Sequence, residues 1–132
     1  MEIQIQISGL MAHFALLSEE EEIHPIYGKV RMVLSVERVE NSDIVQQENE
    51  TEEEAGIRFL EKIHGKKLYR QCSFNRTIRK NYPGPGFFFS EEKDAFIPPE
   101  PEEVKVPYNE DPEDYTCVYD EELCSWHVVK KQ

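Results

Sequence analysis

Six cations, Lys66, Lys67, Arg70, Arg76, Arg79 and Lys80, fall within one short run that contains no Asp or Glu. The other nine Lys and Arg face all 27 Asp and Glu of a 132-residue chain whose formal net charge is −12. A basic run in so acidic a protein has two chemical uses: it neutralises acids of its own chain, or it receives an anion from outside. Arginine forks onto carboxylates and phosphates alike. Tyr69, Phe74 and Tyr82, in or beside the run, offer faces on which a base would stack. The six cations are therefore the candidate anion-binding set, and the three rings the candidate stacking set. Their ligand would be an anion, a nucleotide or a nucleic-acid strand.

The opposite charge gathers in a Pro-rich stretch. Glu102, Glu103, Glu110, Asp111, Glu113 and Asp114 form a candidate acidic surface for a partner protein with a basic face. The basic run could also pair internally, with the acids at 48–54 or 100–114, and the acids of the Pro-rich arm at about 90–114 are the favoured internal partners. Another acid-rich segment, 51–54, opens a predicted helix whose far end meets Lys66 and Lys67, roughly 20 Å away by helical rise.

Cys72, Cys117, Cys124 and His127 are the only residues with any claim to a metal. The spacing Cys-x6-Cys-x2-His lacks a Cys-x2-Cys knuckle. Strand alternation also puts His127 on the face opposite Cys124. Small buried thiols are the simpler expectation, and no cofactor is expected. Asp111, Glu113 and Asp114 lack the glycine and the spaced oxygens of a calcium loop. No nucleophile elbow, zinc-protease helix or phosphate loop is present. The histidines at 13, 24, 64 and 127 are not brought together by spacing. A small enzyme built from scattered residues is the least supported of the functional classes.

Several elements must position these groups. Ile3, Ile5 and Ile7 alternate with polar residues and predict a strand at about 2–8. Leu10 to Leu17 is a second strand or a buried helical turn. In 28–39, Val30, Met32, Leu34 and Val36 alternate with Arg31, Val33, Ser35 and Glu37, and the apolar Val33 on the second face implies a central strand. Thr51 and Glu54 form a capping box. Behind them Ile57, Leu60 and Ile63 or His64 fall at helical spacing, and Gly65 closes a helix over about 52–64. In the strand at 67–74, Leu68, Arg70, Cys72 and Phe74 share one face. After a Pro-Gly turn at 82–86, Phe87 to Phe89 predicts a short strand. An acidic Pro-rich arm then spans about 90–114, pinned by Ala95–Ile97, Val104, Val106 and Tyr108. The segment 115–129 reads as a β-hairpin with a loop at Asp120–Glu122.

The expected fold is one α+β domain over 1–132: a mainly antiparallel sheet, one packed helix and a C-terminal hairpin. A β-sandwich with a helical insertion is the alternative. The acidic balance disfavours general affinity for nucleic acid or anionic membrane. Three cysteines make a poor disulfide framework, and no signal peptide or membrane span is read, so a cytoplasmic, intracellular setting is expected. The function these features favour is a non-enzymatic binding protein: an adaptor, an accessory subunit or an inhibitor, including one that mimics nucleic acid. The alternative is an anion-binding module built on 66–80.

Overall fold

The computed structural model describes residues 11–132, so the strand expected at 2–8 lies outside the described residues. The elements are β1 (Met11–Leu17), β2 (Glu22–His24), β3 (Gly28–Glu40), α1 (Glu52–His64), β4 (Tyr69–Cys72), β5 (Phe88–Ser90), β6 (Ala95–Ile97), β7 (Tyr115–Asp120) and β8 (Ser125–Lys130). One antiparallel sheet runs in the order β4-β1-β3-β5-β6, with β2 also on β3, and β7 and β8 form a separate two-stranded sheet. The architecture is α+β. Thr51 caps α1 as the sequence predicts: its hydroxyl accepts from the Glu54 amide at 3.1 Å, and the Glu54 carboxylate accepts from the Thr51 amide at 3.1 Å.

The large sheet buries both faces. On one, Ala12, Phe14, Val39 and Tyr69 pack with Ala55 and Leu60 of α1. On the other, Ala15, Leu17, Val33 and Cys72 pack with Phe89 and Phe96. A third cluster, Tyr27, Val30, Ala95, Ile97 and Cys124, joins the sheet to the hairpin through Tyr119 and Trp126. There the Trp126 indole N–H donates to the Tyr27 hydroxyl at 2.8 Å, and that hydroxyl donates to the Pro98 carbonyl at 3.0 Å.

Four expectations need correction. In β3 the predicted apolar face breaks: Val30 and Val33 are buried, whereas Met32 and Leu34 are exposed. The pairing passes from Leu16 opposite Ser35 to Leu17 opposite Val33, which leaves Leu34 as an extra residue. Such a bulge brings Val36 onto the face of Val33, with which it packs, whereas Val30 is buried in a separate cluster with Tyr27. In α1 the buried face is Ala55, Gly56 and Leu60, and Ile63 is exposed. The hairpin turn also runs one residue longer than expected, to Cys124, which is buried and has φ 52°.

The Pro-rich arm is shorter than predicted, because 88–97 is taken up by the paired β5 and β6. Irregular chain starts at 98 and runs to a 3-10 turn at Pro112–Asp114. Val104 and Val106 are half-buried, but Tyr108 is 93% exposed and pins nothing.

Candidate functional site

The basic run does not stay together. β4 leaves the C-terminal end of α1 and runs back along it, so the later part of the run returns to the acids that open the helix. Arg79 is the centre of the resulting network. Its guanidinium is forked onto the Glu53 carboxylate, with one arm at 3.1 Å, and donates to the Gln71 carbonyl at 2.9 Å and to Asp94 at 2.8 Å. It also stands over the Phe89 ring at 5.6 Å. Glu53 accepts in addition from the Gln71 amide at 2.6 Å. Burial pushes the Glu53 carboxyl up, but the Arg79 and Gln71 hydrogen bonds and the charges of Arg79 and Arg70 outweigh it and hold the carboxyl below its ordinary value. Internal pairing thus holds for Arg70 and Arg79, with Glu53 of the 48–54 set and with Glu91 and Asp94 at the start of the 90–114 segment, rather than with the acids of 100–114. Helical rise separates Glu53 from Lys66, but not from Arg79.

Arg70 points with Leu68 and Cys72, as alternation predicts. It pairs with Glu91 and lies 6.0 Å from the Phe89 ring. Lys80 donates to the Glu122 carbonyl at 2.9 Å and so ties the sheet to the hairpin turn. Lys66, Lys67 and Arg76 are exposed, and their side chains have no ion-pair or hydrogen-bond partner among the described residues.

The stacking candidates divide in the same way. Tyr69 is buried under α1 and presents no face to a ligand. Phe74 is 68% exposed. Its ring is edge-on to Tyr82 at 5.4 Å and stacked with His13 at 6.3 Å, and His13 is edge-on to Tyr82 at 5.4 Å. His13 stands opposite Cys72 on β4 and Arg38 on β3, so β1 brings an imidazole and a guanidinium to one patch. Burial, and then the Arg38 charge, lower the His13 pKa; burial and Cys72 raise the Tyr82 pKa while Arg38 pulls it down.

An open cleft of about 640 Å³ adjoins these rings, lined by Phe74, Asn75, Arg76, Asn81, Tyr82, Phe87 and Pro98. The loop forming one side is held in shape. The Arg76 amide donates to the Ser73 carbonyl at 2.9 Å, and the Thr77 hydroxyl donates to the Ser73 hydroxyl at 2.8 Å. Arg76, Arg79 and Lys80 all adopt left-handed φ, at 58°, 52° and 69°. Non-glycine residues take that conformation at a cost of order 1 kcal/mol or more each, so the fold must hold them there. Asn81 does part of this by donating to the carbonyls of Phe96 at 2.7 Å and Cys124 at 2.9 Å.

In the acidic set, the Tyr115 hydroxyl donates to Glu110, and Asp111 caps its 3-10 turn by accepting from the Glu113 amide at 2.9 Å. Glu102, Glu103, Glu113 and Asp114 are exposed, and their carboxylates have no cation partner among the described residues. The weak metal set is not assembled. Cys72 and Cys124 sit in different core clusters, Cys117 is on β7, and His127 approaches Asp120 at 3.7 Å. Among the described residues, no three His, Cys, Asp or Glu side chains converge as a metal site.

Sequence reasoning missed His13 and Arg38 as neighbours of the rings, and it did not single out Glu53, Glu91 and Asp94 among the acids of 48–54 and 90–114 as the partners of the arginines. The lack of acids near Phe74 was legible, but the strand register was not. Comparison with protein-family models, with curated proteins and with solved structures found no match to this chain. Among the described residues, no helix is long and apolar enough to cross a membrane.

Proposed function

We propose that this chain is a non-enzymatic binding protein whose acidic arm meets a basic surface on a protein partner. The observation that carries this is a division of charge. Arg70 and Arg79 are satisfied by Glu91, Glu53 and Asp94, so the arm's carboxylates are left for outside cations. Between 98 and 114 there are seven acids and one base, Lys105. Extended Pro-rich chain loses little conformational entropy when it docks, and clustered charge of one sign speeds encounter with the opposite sign. An inhibitor that occupies a nucleic-acid-binding face is one form of such a protein.

The test replaces Glu102, Glu103, Glu110, Asp111, Glu113 and Asp114 with their amides and compares partner capture by the two chains at low and high salt. The expected result is a partner that binds the parent chain in low salt, leaves it in high salt and is lost by the amide variant at unchanged thermal stability. The same partner retained by the variant would overturn the proposal.

A further inference from the structure

Beside the arm, and using none of its carboxylates, the molecule holds a patch of the opposite character. Phe74 offers an exposed ring whose far side rests on His13 and Tyr82. Arg76, two residues on, lines the same cleft with no partner for its guanidinium among the described residues. Arg38, exposed and opposite His13, adds a second positive charge whose field reaches both His13 and Tyr82. The run 66–80 that supplies this loop contains no acid. The cleft is open, so it suits a small ligand that keeps part of its surface in solvent. The left-handed Arg76, the Ser73–Thr77 hydrogen bonds and the Asn81 anchors fix its shape before any ligand arrives.

We propose that this cleft binds a nucleoside monophosphate, with the base stacked on Phe74 and the phosphate on Arg76. An aromatic face beside an unneutralised guanidinium matches a ligand that joins a π-system to an anion a few ångströms away. The net charge of −12 sets the size limit. A long strand would bring many phosphates into the field of a chain of that net charge, whereas a monophosphate brings one. The free mononucleotide is therefore favoured over a nucleotide within single-stranded nucleic acid, which shares the same chemistry.

The experiment titrates the full chain with adenosine monophosphate and follows backbone amide NMR signals. Adenosine, inorganic phosphate and a short single-stranded oligonucleotide are titrated in parallel. The expected result is saturable shifts centred on 73–82 and on His13, with adenosine and phosphate each binding about tenfold or more weakly. Phe74→Ala and Arg76→Gln should each weaken monophosphate binding by a similar factor. Arg76 is exposed, so its variant folds normally and keeps the test decisive even if Phe74→Ala disturbs the ring cluster. The proposal is overturned by an absence of saturable shifts, by shifts that map elsewhere, by phosphate binding as tightly as the monophosphate, or by Arg76→Gln binding unchanged. An oligonucleotide binding far more tightly than the monophosphate would also overturn it and reassign the patch to a strand.

Discussion

Gly56 of α1 lies directly against the ring of Phe14: a Cβ built on Gly56 would stand 2.0 Å from the Phe14 Cζ. Both residues are buried at the centre of the contact between the helix and the sheet. A glycine inside a helix costs about 1 kcal/mol relative to alanine, and this one is explained by the close approach it allows. Gly56→Ala should therefore destabilise the protein despite the gain in helix propensity, because overpacking a filled core costs about 1–3 kcal/mol. Urea unfolding measures the change. Phe14→Leu in the Gly56→Ala background should recover part of the loss, so the two changes should not be additive. A Gly56→Ala protein as stable as its parent would show that the helix can shift away without penalty.

Arg79 and Glu53 tie α1 to the sheet edge through a network that is half-buried on both sides. Arg79→Met leaves the Glu53 carboxylate facing Gln71 without its cation and should cost about 2–3 kcal/mol. The pH dependence follows from Glu53, which gives up its proton more readily in the folded chain than in the unfolded one. The stability this contributes is fully present above the ordinary carboxyl value of 4.5 and is lost as pH falls through the lowered folded value. The difference in unfolding free energy between the parent and Glu53→Gln should thus narrow as pH drops below 4.5. A constant gap across that range would mean that the carboxylate charge contributes nothing to the link.

The local elements were legible because their signals are local. The capping box, the helical spacing and the Gly65 stop place α1 at Glu52–His64, and Tyr115 to Lys130 forms the expected hairpin. What failed depends on contacts distant in sequence. The bulge at Leu34 follows from how β1 meets β3, and no residue type in 28–40 announces it. Ile63 is a better core residue than Gly56 by composition, yet the ring of Phe14 requires the smaller residue where the helix touches the sheet. The aromatic and basic patch was half visible. Phe74, Arg76 and Tyr82 lie close in sequence, whereas His13 and Arg38 join them only through the β1–β3 and β1–β4 registers. Charge counting located the basic run, but it could not assign the partners of Arg79, which depend on the path of β4 back along α1.

The three cysteines provide a direct readout of that packing. Burial pushes the Cys72 thiol up to about 12, against an opposing pull from Arg79. At about pH 8 only on the order of one Cys72 in ten thousand would be thiolate, and the thiolate is the reactive form. Cys124 is buried beneath the hairpin turn, while Cys117 is half-buried on β7. A maleimide applied to the native protein should therefore modify Cys117 first, as located by peptide mass mapping. Cys72, enclosed by Ala15, Leu17 and Phe89, should react only when the sheet opens, at a rate set by the free energy of that opening. Gly56→Ala and Arg79→Met weaken the sheet from different sides, so both should speed Cys72 labelling far more than Cys117 labelling. Cys72 reacting as fast as Cys117 in the parent chain would mean that the second face of the sheet opens without global unfolding, and the order of labelling separates the two cases.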